Sequence, residues 1–72
     1  MVVVQNRISE YRKKFALSQS ELAEIVEVSK NCISAIERGS WYPSLKLALK
    51  IAFAFGVSVD TLFWLKGGAS DA

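Results

Sequence analysis

Seventy-two residues make one domain, with an interior too small for a wide margin of stability. Of these, 51% are hydrophobic and 22% charged, and nine basic against seven acidic side chains leave a net charge of +2, which suits a nucleic-acid partner without demanding one. The absence of histidine and the single cysteine, Cys32, exclude an intrachain disulfide framework and leave no zinc-ligand set.

Other classes fall on pattern. Met1-Val2-Val3-Val4 is too short for a signal peptide and lacks its basic flank. No apolar stretch approaches the ~20 residues of a membrane span. A cytoplasmic protein with no membrane partner and no cofactor is expected. There is no nucleophile–base pair and no phosphate-cradling glycine loop, so an enzyme is not expected. A chain this small and this apolar is expected to cover some of its surface with a second copy of itself.

In chain order, Val2, Val3 and Val4 favour an extended strand, with Phe63-Trp64-Leu65 as a possible partner; the alternative is a disordered tail. Asn6 is the expected N-cap of a first helix. Ile8, Tyr11, Arg12 and Phe15 then recur at i, i+3, i+4 and i+7, a stripe able to pack on the next two helices. Leu17 precedes the next cap and is placed as a hydrophobic staple.

Ser18-Gln19-Ser20-Glu21 has the form of a capping box, the serine hydroxyl accepting from a backbone N–H while the glutamate reaches back. Leu22, Ile25 and Val26 come next at helical spacing as one apolar face, and Ala23 is small enough for a second helix to approach closely. The pattern breaks at Glu27-Val28 and restarts at Ser29, a second N-cap, with Ile33 and Ile36 pointing inward and Gly39 ending the helix. Two short helices joined by a tight turn form a helix-turn-helix, here over residues 19–38.

Ser40-Trp41-Tyr42 makes a short loop, Pro43 stiffens it and Ser44 caps a fourth helix. Leu45 to Phe55 is apolar almost all round, broken by Lys46 and Lys50, and is expected to be buried on more than one side. Gly56 ends it, and Ser58-Val59-Asp60-Thr61 starts a short last helix with Asp60 in its first turn. Gly67-Gly68 and Ala69-Ser70-Asp71-Ala72 read as a frayed end. The expected fold is all-α, a compact bundle of about five helices in one domain, 1–72.

The run QSELAEIVEVSKNCISAIER resembles the motif of lambda-repressor-like (Cro-type, XRE) transcriptional regulators. Pro43-Ser44-Leu45, Leu47 through Ala52, Gly56-Val57-Ser58 and Leu62-Phe63 extend the similarity to roughly residues 6 to 65. The short single-domain type, like the cytolysin repressor of Gram-positive bacteria, is the most similar in pattern. In that type the two termini pair as a small antiparallel sheet. One departure is Glu27, where most relatives have glycine; a left-handed non-glycine residue costs about 1–2 kcal/mol.

The resemblance implies double-stranded DNA as partner, with the second helix of the motif in the major groove. Lys30, Asn31, Ser34 and Ala35 match the base-reading positions. Lys30 can donate to guanine O6 and N7, Asn31 suits adenine N6 and N7, and Ala35 a thymine methyl. Gln19 and Ser20, with the N–H groups at the start of their helix, match phosphate-holding positions. Ser29 is a cap first and a phosphate ligand second, and Arg38 completes the expected DNA-binding set. Arg12, Lys13, Lys14 and Lys46 are expected to neutralise phosphates, while family analogy also pairs Arg12 with Glu37. Trp41 either packs on sugars of the DNA or covers the core or a second subunit.

Glu21, Glu24 and Glu27 read most simply as a solubilising face, although Glu24 matches a position that touches RNA polymerase in some phage repressors. Cys32 lies in the first turn of the recognition helix, where the helix dipole is expected to lower its pKa. A homodimer is expected through the region of about 57–66, using Val57, Val59, Phe63 and Trp64. The function expected is a homodimeric repressor on a palindromic operator. The alternative is an antitoxin-type module that masks a toxin, and a toxin or anti-repressor protein is a further possible partner.

Overall fold

The computed structural model describes residues 2–67; Met1 and the residues from Gly68 onward lie outside them, and Gly67, expected to belong with these last residues to a frayed end, is instead paired with Val2 in a strand. Strand β1 (Val2–Asn6) leads into helices α1 (Ile8–Lys14), α2 (Gln19–Val26), α3 (Lys30–Arg38), α4 (Leu45–Phe55) and α5 (Val59–Leu62), and strand β2 (Phe63–Gly67) closes the order. β1 and β2 pair antiparallel, with Val2 opposite Gly67, Val4 opposite Leu65 and Asn6 opposite Phe63. The tail alternative is thereby excluded: β-branched residues at one end meet an aromatic segment at the other, and the backbone groups that face each other across the pair are satisfied.

Local chemistry places the helix ends. Ser18 Oγ accepts from Glu21 N at 3.0 Å while the Glu21 carboxylate accepts from Ser18 N at 2.8 Å, completing the capping box. Ser29 and Ser44 cap α3 and α4 through bonds from Cys32 N and Leu47 N. Gly39 and Gly56 end those helices with φ of 78° and 72°, a conformation glycine adopts without a Cβ penalty. Glu27 ends α2 at φ 63°, so the motif turn is left-handed without glycine. Ala16 does the same after α1 at φ 57°, and no glycine or asparagine marks that turn in the sequence.

Ile8, Leu22, Val26, Ile33, Ile36, Ile51, Phe55 and Leu62 form the buried core. α2 packs on α3, and Ala23, 3% exposed, lies between the helices it was expected to let approach. Phe15 is half exposed, yet its ring meets Phe55 at 5.4 Å between centroids.

Three expectations are corrected. Asn6 is not the N-cap of α1: that position is Arg7, which makes no side-chain cap bond, and Asn6 Oδ1 accepts from Ile8 N at 3.2 Å from one residue earlier. Ile25 does not face inward but is 54% exposed, because α3 and α4 cover only the side of α2 that carries Leu22, Ala23 and Val26. α4 is not buried on more than one side. Leu45, Leu49 and Phe53, at i, i+4 and i+8, are 72%, 51% and 87% exposed, since the core lies on the opposite side at Leu47, Ala48, Ile51, Ala52 and Phe55.

Candidate nucleic-acid interface

The first turn of α3 is open and its last turn is not. Lys30 and Asn31 are exposed, Ser34 and Ala35 half-buried, and Arg38 exposed at the end. Lys30, Ser34 and Arg38 stand four residues apart along one row, and Asn31 and Ala35 along the next. An Arg38 Nη1 proton goes to Ser34 Oγ at 2.6 Å, so these two side chains present one joined polar group. Ser29 Oγ is taken up as a cap. Lys30 and Asn31 have no side-chain hydrogen bond or ion pair among the described residues and keep their full bonding capacity.

Burial and fixed bonds distinguish the opposite end. Arg12 Nε and Nη2 donate to the two oxygens of Glu37 at 2.9 and 3.3 Å, with side chains only 15% and 10% exposed. A third bond runs from Arg12 Nη1 to Leu17 O at 3.0 Å. The family-based pairing with Glu37 is present, and the phosphate role expected of Arg12 is corrected: the guanidinium is spent inside the fold. Gln19 Nε2 also donates to Glu37 Oε1, at 3.0 Å, so this half-buried residue has one amide N–H committed and the second available to an anion. Ser20 is exposed beside it.

Lys13, Lys14 and Lys46 are exposed. The Lys14 ammonium lies 5.0 Å from the centre of the Tyr11 ring. Lys50 is paired instead, its Nζ 2.9 Å from Glu27 Oε1. That hydrogen bond, followed by the charges of Lys50 and Lys46, holds the Glu27 carboxyl below its ordinary value. Asp60 is likewise lowered, first by the Ser58 hydroxyl and then by its own backbone N–H.

Cys32 departs from expectation: burial pushes its thiol up from the ordinary value. Desolvation disfavours the charged thiolate, the opposite direction to the lowering expected from the helix dipole. It lines a groove of about 280 Å³ together with Val28, Trp41, Lys46 and Leu47, and Trp41 forms the half-exposed outer wall.

Of the expected dimer residues, Val57, Val59 and Phe63 pack partly against the core. Trp64 is 36% exposed, with the Arg7 guanidinium 4.5 Å over its ring. Sequence reasoning named Asn6 only as a cap and missed its second contact, Nδ2 donating to Ile36 O at 3.0 Å; it also missed the exposed row on α4. The row carries no distinguishing signal, because Leu47, Ile51 and Phe55 on the buried side repeat every fourth residue as well; the Asn6 contact spans 30 positions and has no local signal either.

Comparison with known proteins agrees with this geometry. The helix-turn-helix family matches over residues 8–62. YgzD of Bacillus subtilis, an uncharacterized HTH-type transcriptional regulator, is 43% identical over 63 residues, covering 88% of this chain and 96% of YgzD. The P22 c2 repressor in complex with a synthetic operator superposes with a TM-score of 0.72 at 35% identity, over 75% of this chain and 82% of that one. SinR in complex with DNA gives a TM-score of 0.70 at 43% identity, over 76% and 89% of the two chains.

Proposed function

The chain belongs to the helix-turn-helix (XRE-type) family of DNA-binding transcriptional regulators, which are not enzymes, and from that premise we propose that it is a homodimeric repressor of a palindromic operator. The observation that carries the reading is the open first turn of α3. Lys30 and Asn31 project from a capped helix with unspent donors and acceptors, and the major groove is wide enough to admit such a helix. Lys30 reads guanine and Asn31 adenine, with Ala35 against a thymine methyl. Ser34, matched from sequence to a base-reading position, is joined to Arg38 and with it holds phosphate instead, as do Gln19 and Ser20, and Ser29 joins them as a cap that also faces the backbone. Occupancy of the operator excludes other proteins and represses.

The dimer rests on exposed apolar surface. Val57, Val59, Phe63 and Trp64 contribute what their own core leaves uncovered. Leu45, Leu49 and Phe53 of α4 add the larger open area. Monomers rarely leave a row of large apolar side chains like that of α4 uncovered, and a twofold contact buries it twice. Such a dimer sets two recognition helices about 34 Å apart, one turn of DNA.

The test is selection of bound duplexes from a random pool, then affinity across a salt series. A palindrome with half-sites one turn apart is expected, with a log–log salt slope near −0.9 per phosphate neutralised. No enriched sequence, or a flat salt response, would sink the reading. Sedimentation of the wild type and Phe53→Asp separates the dimer from the DNA claim, with a dimer expected for the first and a monomer for the second.

A further inference from the structure

We propose that Asn6, the last residue of β1, is a positioning residue for DNA recognition, fixing how the recognition helix is turned about its own axis. This rests on the DNA-binding reading of α3. The Asn6 carboxamide is used at both ends: Nδ2 donates to Ile36 O at 3.0 Å and Oδ1 accepts from Ile8 N at 3.2 Å. The reverse placement of nitrogen and oxygen would set acceptor against acceptor and donor against donor, so the orientation is fixed by its partners. One short side chain thereby ties the start of α1 to the end of α3.

Its own backbone is anchored as well. Asn6 pairs with Phe63 across the sheet, and Arg7 N donates to Leu62 O at 3.0 Å. Ile36 O already accepts from Gly39 N at 3.0 Å, and the asparagine occupies its second lone pair.

The adjoining residue, Glu37, is held by Arg12 of α1 and Gln19 of α2. The grips on these adjoining residues come from different elements, β1 on the Ile36 carbonyl and α1 with α2 on the Glu37 side chain, and together they oppose rotation of the last turn. Arg12 and Gln19 are long, rotamer-rich side chains acting on another side chain. Asn6 is short and acts on the backbone itself, which makes it the stiffer stop. At a helix radius with side chains of about 5–6 Å, a 15° rotation displaces a reading group by roughly 1.4 Å. That is enough to take a bidentate base contact out of hydrogen-bonding range.

Two variants test it. Asn6→Ser keeps a hydroxyl near Ile8 N but cannot reach Ile36 O, and Asn6→Asp keeps the acceptor while replacing the donor by a second acceptor. With folding confirmed by circular dichroism, each is measured on the duplex selected by the wild type and on a random duplex. Discrimination between the two duplexes is expected to fall about tenfold in Asn6→Ser and further in Asn6→Asp, with affinity for random DNA changed less than twofold. Unchanged discrimination in a folded variant overturns the proposal, as does an equal loss on both duplexes. If Asn6→Asp does not fold, Asn6→Ser alone decides. If the wild type enriches no duplex, the DNA reading has failed instead; positioning is then judged by amide exchange in the last turn of α3, where protection unchanged in Asn6→Ser overturns it.

Discussion

The two ends of α3, the proposed recognition helix, are built on opposite principles. At its first turn, Ser29 caps the backbone and the side chains of Lys30 and Asn31 stay unengaged. At its last turn, Ile36 and Glu37 are gripped from β1, α1 and α2 by Asn6, Arg12 and Gln19. Polar groups at the held end are partly buried and satisfied, so they are costly to disturb. Those at the open end are hydrated and cheap to change, which is what a reading surface requires. On the proposed reading, stability and sequence reading are separated by less than two turns of one helix.

Breaking the held end has the largest expected effect. Arg12→Ala removes the guanidinium from a Glu37 carboxylate that is 10% exposed and also the bond to Leu17 O. A loss of about 3 kcal/mol is expected, because the remaining charge is left without its partner. Chemical denaturation measures it, and a loss below about 1 kcal/mol would show that the pair behaves as a surface one.

The open end should respond in binding instead. Asn31→Ala is expected to cost about 2 kcal/mol on the preferred duplex, with little change on random DNA and no change in the denaturation midpoint. Equal losses on both duplexes would place Asn31 among the phosphate contacts. A lowered midpoint would instead erase the contrast between the two ends.

The smallest effect is expected in the turn that leads to the open end. Lys50 holds the Glu27 carboxyl below its ordinary value of 4.5, so Lys50→Met should raise the Glu27 pKa in an NMR titration. A depressed folded-state pKa stabilises above the unfolded value, and that contribution is lost as pH falls through the lower folded one. Since Glu27 is an exposed group, the thermal midpoint at neutral pH should not move detectably. A clear drop in that midpoint would mean that the turn belongs with the held end.

Local patterns were sufficient for much of the fold. The Ser18, Ser29 and Ser44 caps, the glycine stops at Gly39 and Gly56, and the break between the two helices of the motif arise from neighbours within about four residues. Interactions at that range depend on backbone geometry common to all helices, so the amino-acid sequence alone determines them. The Arg12–Glu37 pair came from family resemblance, and the pairing of the termini drew on that resemblance together with residue type. Ile25 and α4 were misjudged because periodicity identifies an apolar face but not whether another element covers it. Leu47 and Leu49 are the same residue type two positions apart, yet one is 7% exposed and the other 51%. Tertiary structure alone decided those exposures, the raised Cys32 thiol, and the reach of Asn6 to Ile36. Each depends on which segments, distant in the chain, fill the same few ångströms, where burial and one hydrogen bond outweigh any local preference.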